Sequence, residues 1–303
     1  MFIHKDISVI GVPMDLGQRR RGVDMGPSAM RYAGLLEQIT SLGFNVKDCG
    51  DIRIDRPEKE KDPEKNLRNL KEVFAASEKL EKEVDLIVQE GKFPLILGGD
   101  HSISIGSIAG ISRHYENLGL IWYDAHADLN TGETSPSGNI HGMPLAVNLG
   151  LGDSSLRNIG NYSPKVKAEN IVIIGARSID EGEKLLIKEK GIKVFTMHEV
   201  DRLGMPKVIE ETIHYLSQRT DGVHLSLDLD ALDPLDAPGV GTPVMGGLTY
   251  RESHLALEML SEAKIITSAE FVEVNPILDD KNRTADVASE LVASLLGKKL
   301  VLT

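Results

Sequence analysis

The feature that most constrains the fold of this chain is the pentapeptide Asp-Ala-His-Ala-Asp at residues 124–128, which directly follows an apolar run at residues 118–123. Side chains of an extended chain alternate between its two faces, so Asp124, His126 and Asp128 would point in the same direction. Strand ends of this kind are where open α/β sheets place their active sites. The pattern therefore predicts a buried strand that ends in a metal site.

Two further apolar runs end in residues of the same kind. His101 follows the run at residues 93–97 through the sequence Gly-Gly-Asp-His, and Asp228 and Asp230 end another run as Ser-Leu-Asp-Leu-Asp. A single aspartate after a strand is most often a turn or helix-cap residue, but three such strand ends together favour a metal site. The predicted metal ligands are His101, Asp124, His126, Asp128, Asp228 and Asp230.

The chemistry of this ligand set indicates the metal. Carboxylate oxygens with some imidazole nitrogen suit Mn²⁺, leave Zn²⁺, Fe²⁺ and Co²⁺ open, and disfavour Mg²⁺ and Ca²⁺, which usually avoid histidine. Four aspartates would balance the charge of two divalent ions, and a hydroxide that bridges the ions would be the nucleophile. Metal binding lowers the pKa of water from about 15.7 to about 7, which makes such a hydroxide available at neutral pH.

Apolar runs alternate with amphipathic stretches along the whole chain. This alternation predicts an α/β fold in which a mostly parallel sheet is covered by helices on both faces. Several of the runs are apolar on both faces, as buried parallel strands should be. Eight strands are predicted, at residues 7–12, 45–49, 94–97, 119–123, 171–174, 193–195, 223–227 and 265–274.

The stretches between the strands predict the helices. Two long helices are expected over about 27–42 and about 63–90. Further helix ends are marked by capping boxes at 178–181 and 249–252 and by glycines at 191 and 297. A charged segment at residues 53–65 is interpreted as a surface excursion, so we expect a single domain that spans residues 1–303.

Composition limits the classes of function. The chain has 46 acidic and 34 basic residues and a net charge of −12, which argues against a nucleic-acid-binding surface. Its single cysteine, Cys49, excludes an intramolecular disulfide and a cysteine-based zinc site. The first residues lack the pattern of a secretory leader, and no run approaches the roughly 20 apolar residues of a membrane span. We therefore expect a cytoplasmic protein without membrane contacts.

The three strand-end motifs resemble the signatures of the ureohydrolases, which are binuclear manganese enzymes that hydrolyse guanidino groups. The resemblance extends to the motifs at residues 11–15, 22–27 and 273–276, and therefore covers nearly the whole chain. It implies a three-layer α/β/α sandwich around an eight-stranded sheet. It also implies two Mn²⁺ ions in each subunit and assembly into homo-oligomers, either trimers or hexamers.

Within this family, the loop that begins at Asn130 is most similar to the loop of the arginases that holds the amino-acid end of L-arginine. The resemblance implies that Asn130, Ser137 and Asn139 contact the α-carboxylate of the substrate. Asp180 and Glu183 would face its α-amino group, either directly or through water.

The same resemblance implies the catalytic roles. Thr242 and Glu273 match the guanidinium side of the pocket, and His141 matches the proton-transfer histidine. Asp128 could hydrogen-bond to the nucleophile as well as bind metal. Guanidinium is cationic and resonance-stabilised, so it requires an activated hydroxide, a carboxylate to position it and an acid for the leaving amine. The expected reaction converts L-arginine and water to L-ornithine and urea, a step of arginine catabolism and of the urea cycle.

Three other interpretations remain open. Another ureohydrolase, such as an agmatinase or formiminoglutamase, would share the metal ligands and differ where it binds the far end of its substrate. The loop from Ser137 to His141, together with Asp180, favours a free amino acid. A related deacetylase with one zinc would need fewer aspartates than the pair Asp228 and Asp230 supplies. A non-catalytic scaffold would lose residues such as His141, which is present.

Overall fold

A computed structural model describes residues 5–55 and 67–299 of the chain. Its strands form one sheet, with neighbours in the order β2-β1-β3-β8-β7-β4-β5-β6, and every neighbouring pair is parallel. The strands are β1 (Asp6–Val12), β2 (Asn45–Asp51), β3 (Phe93–Gly98), β4 (Leu118–Tyr123), β5 (Ile171–Ala176), β6 (Lys193–Thr196), β7 (Gly222–Asp228) and β8 (Ile266–Val272). The predicted eight-stranded, parallel sheet is confirmed.

Helices connect the strands on both sides of this sheet. Within the described ranges the α-helices are α1 (Gly26–Tyr32), α2 (Leu35–Ser41), α3 (Leu70–Gln89), α4 (Ser104–Ser112), α5 (Pro144–Asn148), α6 (Ser154–Arg157), α7 (Glu181–Lys190), α8 (Met197–Leu203), α9 (Met205–Ser217), α10 (Tyr250–Ala263) and α11 (Arg283–Leu295). No helix in this part of the chain is long and apolar enough to cross a membrane.

Two apolar cores lie on opposite faces of the sheet. Consecutive residues of a strand belong to different cores: Val9 packs with α1, α2 and α8 to α11, whereas Ile10 packs with α3 to α6. This alternation follows from the two-residue repeat of a strand. The chain therefore forms the three-layer α/β/α sandwich that was expected.

Several element boundaries differ from the sequence-based predictions. The helix predicted over 27–42 is two helices, because Gly34 adopts a φ of +81° between α1 and α2. The helix predicted over 63–90 begins at Leu70 among the described residues, and the segment 56–66 lies outside them. The capping box of α7 is formed by Asp180 and Glu183 rather than by the residues at 178 and 181.

The fold places the candidate site at one edge of the sheet. Strands β3, β8, β7 and β4 are consecutive neighbours and parallel, so their carboxyl ends meet at the same edge. The three predicted metal-binding motifs follow β3, β4 and β7. Glu273 follows β8, which ends at Val272, two residues before the predicted end of that strand.

Candidate active site

The six predicted metal ligands meet at this edge, and we call them the carboxylate floor: His101, Asp124, His126, Asp128, Asp228 and Asp230. Within it, His101 Nδ1 lies 3.0 Å from Asp124 Oδ2, 3.1 Å from Asp128 Oδ2 and 3.2 Å from Asp228 Oδ2. Metal–ligand bonds of about 2.1 Å place neighbouring ligands of an octahedral ion about 3.0 Å apart. The spacing therefore fits one shared cation.

A second group of ligand atoms lies beside the first. His126 Nδ1 is 3.2 Å from Asp230 Oδ2 and 3.4 Å from Asp124 Oδ1. Asp124 thus directs one oxygen to each group, so its carboxylate lies between two candidate cation sites. The strand geometry does not persist through the motif, because Asp128 adopts a φ of +52°. This turn brings Asp128 to His101 instead of continuing the alternation.

The electrostatics of the floor favour bound cations. Burial, together with the charge of Asp124, raises the pKa of Asp128 to about 6. Burial and the charges of Asp230 and Asp124 raise the pKa of Asp228 well above its usual range. Closely spaced buried carboxylates repel one another when all are ionised, so their ionised forms need positive charge nearby. Two divalent cations would supply it.

The orientation of the His101 ring also fits a metal. Its Nε2 lies 2.8 Å from Ser226 Oγ, and the Ser226 hydroxyl donates to Glu270 Oε1 at 2.7 Å. Nε2–H therefore donates a hydrogen bond to Ser226, and in the neutral ring the Nδ1 lone pair faces the carboxylates. Nδ1 is buried and makes no hydrogen bond despite its three close neighbours. A lone pair that faces carboxylates is stable where a cation lies between them.

Glu270 organises the layer behind the floor and belongs to none of the sequence motifs that predict site residues. It is fully buried and also accepts hydrogen bonds from Ser104 and Ser107, both at 2.5 Å. Burial would raise the pKa of Glu270, but the neighbouring His224 and His101 and the hydrogen bond from Ser104 outweigh it and lower the pKa to about 2. The signal in the sequence was a glutamate inside the apolar strand β8.

Glu273 and His141 form a pair beside the floor. Glu273 is fully buried with a φ of +67°, and its Oε1 lies 3.1 Å from His141 Nδ1. Oε1 also accepts the backbone N–H of His101 at 3.0 Å, and Oε2 accepts from Gln18 Nε2 at 2.8 Å. Burial alone would lower the pKa of His141, but Glu273 outweighs it and raises the pKa to about 9. His141 is therefore protonated at neutral pH.

All six predicted substrate contacts line one cavity of about 140 Å³ that also opens onto His126, Asp128, His141 and Asp228. We call these six residues the polar wall: Asn130, Ser137, Asn139, Asp180, Glu183 and Thr242. The structure therefore brings together the wall and half of the floor. Glu273 does not line this cavity; it lies behind His141.

The two acidic residues of the wall differ in exposure. Glu183 accepts the backbone N–H groups of Leu129 and Asp180, at 2.9 and 2.8 Å, and burial raises its pKa to about 7. Asp180 is exposed, and its carboxylate accepts the backbone N–H of Glu183 in the capping box and Asn130 Nδ2 at 2.9 Å. Asp180 is thus the acid that a cationic group can reach, while the buried Glu183 fixes the loop to the start of α7.

The remaining wall residues connect the cavity to its surroundings. Thr242 Oγ1 donates to Asp230 Oδ2 at 2.8 Å, which ties the wall to the floor. Ser137 Oγ accepts the backbone N–H of Asn139 at 3.2 Å, and the buried Asn139 Oδ1 has no hydrogen-bond partner. These hydroxyl and amide groups can form hydrogen bonds to the polar end of a small molecule.

Comparisons with known proteins agree with this geometry. A family model described as the arginase family matches residues 5–297. The arginase of Bacillus caldovelox is 68% identical over 98% of this chain and 100% of its own length, and its crystal structure superposes with a TM-score of 0.96. The arginase of Bacillus subtilis is 68% identical over 98% of this chain and 99% of its own. An Entamoeba histolytica arginase, solved in complex with L-ornithine, is 34% identical with a TM-score of 0.90, covering 97% and 99% of the two chains.

Proposed function

This chain belongs to the arginase family and is a hydrolase, and from that premise we propose that it converts L-arginine and water to L-ornithine and urea. The observation that carries the proposal is the carboxylate floor at one end of a cavity lined by the polar wall. A floor that can hold two cations suits the reaction of a guanidino group. A wall that offers both a carboxylate and amides suits the amino-acid end of the same substrate.

We propose manganese as the metal, with two ions in each subunit, because the floor combines four carboxylates with two imidazoles. When bound, the ions would supply the hydroxide that bridges them as the nucleophile at neutral pH. The roles of the floor residues as ligands, and of Asp128 as a further hydrogen-bond partner of the nucleophile, belong to this proposal.

The polar wall would orient the substrate. Asp180 would pair with the α-amino group, because its carboxylate is exposed and lines the cavity. Glu183 would face that group through water, since both of its oxygens hold backbone N–H groups. The α-carboxylate would meet Asn130, Ser137 and Asn139. Thr242 would lie on the guanidinium side, next to the floor.

Glu273 and His141 would handle the proton. The negative charge of Glu273 lies behind the cavity, where it would favour a bound guanidinium and keep His141 protonated. His141 Nδ1 faces Glu273, so its Nε2 would give the proton to the leaving amine. Because Glu273 does not line the cavity, its effect on the guanidinium would act through charge and through His141.

The domain organisation, metabolic role, location and assembly of the protein are proposed from the same resemblance. We propose a single domain over residues 1–303 that acts in arginine catabolism in the cytoplasm, as a trimer or hexamer. One continuous sheet carries the strand ends of the whole site, which supports the single domain.

The test is urea release from the Mn²⁺-loaded protein, offered L-arginine and agmatine side by side. We expect a strong preference for L-arginine and loss of activity in His126→Asn. The control variant His114→Asn, which alters an exposed histidine paired with Asp85, should keep full activity. A preference for agmatine would overturn the assignment of the polar wall to an amino-acid end. Silence on both substrates with metal bound would overturn the proposed function.

A further inference from the structure

Gln18 is a buried side chain beside the candidate site to which the proposed mechanism gives no role. It is 4% exposed, and its Nε2 donates to Glu273 Oε2 at 2.8 Å. The other oxygen of that carboxylate, Oε1, contacts His141 Nδ1 and the backbone N–H of His101. Gln18 therefore supplies the donor for the oxygen that His141 does not contact.

The backbone around Gln18 is built to hold this contact. The N–H of Gly17 donates to Asp100 Oδ2 at 2.8 Å, and its carbonyl accepts the N–H of His141 at 3.1 Å. A Cβ on Gly17 would lie 2.7 Å from Asp100 Oδ1, and a Cβ on Gly241 would lie 2.7 Å from Gln18 Oε1. Glycine at both positions permits an approach that a side chain would block.

Side-chain contacts fix the same segment from outside. Arg20 Nη1 donates to the carbonyl of Gly241 at 2.8 Å, and Asn69 Nδ2 donates to the carbonyl of Leu16 at 2.8 Å. The segment that carries Gln18 is thus attached on both sides of the glutamine. These contacts hold the Gln18 amide against Glu273.

Glu273 is a carboxylate that needs such support. Its φ of +67° is uncommon for a residue other than glycine, and the side chain is fully buried. Strained positions of this kind persist when surrounding contacts over-determine them. A donor on each oxygen also fixes the plane of the carboxylate.

We propose that Gln18 is a positioning residue that fixes the plane of the Glu273 carboxylate, so that Oε1 stays on His141. The inference rests on the proposed function, because it concerns the proton donor of that reaction. A misplaced group near the reacting atoms can cost about a hundredfold in rate. We therefore expect removal of the amide to lower kcat about 10- to 100-fold and to change KM for L-arginine by less than about threefold.

The experiment is a double-mutant cycle between Gln18→Leu and Glu273→Gln, with kcat and KM measured on the Mn²⁺-loaded enzyme. Gln18→Leu is expected to lower kcat in the unsubstituted background and to have less than about a threefold effect in Glu273→Gln, where the carboxylate on which it acts is gone. Gln218→Leu, an exposed glutamine at the end of α9, is the matched control and should leave kcat unchanged. Manganese content and thermal unfolding of each variant show whether it is intact.

Gln18→Met keeps the length of the side chain without its amide, and decides the question if Gln18→Leu does not fold. Equal losses in the two backgrounds, or near-normal kcat in an intact Gln18 variant, would overturn this inference while leaving the proposed function in place. An unsubstituted enzyme that releases no urea from L-arginine would overturn the proposed function and this inference with it.

Discussion

The carboxylate floor and the polar wall are built from different kinds of structure. Five of the six floor residues are buried and lie at or just after the ends of central strands, whose positions are fixed by the sheet on both sides. The wall comes from the loop after β4, the start of α7 and the loop at Thr242, and Asp180 within it is exposed. The floor is therefore set by the sheet itself, and the wall by hydrogen bonds between loops.

This difference separates two contributions to function. A change in the floor alters buried charges that depend on one another, so its cost should be large and should appear in metal content as well as in rate. A change in the exposed part of the wall, at Asp180, removes a contact near solvent, so its cost should be smaller and should appear mainly in substrate binding. Four measurements test this division.

The largest effect is expected for Asp124→Asn, because Asp124 directs an oxygen to each half of the floor. We expect kcat for urea release to fall about 10³-fold or more and bound manganese to fall below two ions per subunit. Asp85→Asn, which alters a partly exposed aspartate paired with His114, is the control. Two tightly bound ions in Asp124→Asn would show that this carboxylate is not shared.

A smaller effect is expected behind the floor, from Glu270→Gln. The substitution weakens the acceptor that orients Ser226 and, through it, the ring of His101. Residues that orient a metal ligand typically contribute about 10- to 100-fold in metal affinity. Titration calorimetry should therefore give a Kd for Mn²⁺ raised by that factor, with no change in the exposed Glu262→Gln. An unaltered Kd in a folded Glu270→Gln protein would limit the floor to its six residues.

In the wall, Asp180→Ala should raise KM for L-arginine about tenfold and leave kcat nearly unchanged, because a charged hydrogen bond near solvent contributes about 1.5 kcal/mol to binding. Glu181→Ala removes the neighbouring acid of the same first turn, whose side chain is 85% exposed, and should leave KM unchanged. Since Asp180 also caps α7, the KM values of both variants should be measured below their unfolding temperatures. If kcat of Asp180→Ala fell as far as that of Asp124→Asn, the proposed difference between floor and wall would be contradicted.

The smallest effect is a shift in pH dependence. Glu273 raises the pKa of His141 to about 9, so His141 holds its proton below that pH and loses it above. Activity that needs this proton should fall as pH rises through about 9. In Glu273→Gln the carboxylate is gone, the pKa of His141 is lower, and the fall should begin at least about one pH unit earlier. Identical alkaline limbs in kcat profiles of the two enzymes would remove His141 as the proton donor.

The sequence predicted the floor more fully than its surroundings for a physical reason. Each floor residue follows an apolar run, and parallel strands bring such ends together whatever lies between them along the chain. The two residues that the sequence analysis missed, Gln18 and Glu270, act through partners 255 and 44 residues away. No local pattern carries those pairings, since they depend on the order of strands in the sheet.

The sequence pattern also did not predict the backbone conformation at two site residues. The positive φ values of Asp128 and Glu273 turn their side chains toward His101 and His141, yet neither residue is a glycine that would mark such a turn. Gly34 did carry a signal, and the break it makes between α1 and α2 follows from its φ of +81°. The resemblance to the ureohydrolases supplied the wall residues, whose loops have no periodic pattern.

The central claim is that the floor holds two metal ions that share Asp124. Its most direct test is a crystal structure of the Mn²⁺-loaded protein with anomalous diffraction data collected at the manganese edge. Two anomalous peaks are predicted, one bonded to His101 and Asp228, the other to His126 and Asp230, with one oxygen of Asp124 on each. A single peak, or two peaks of which one lies away from Asp124, would contradict the account.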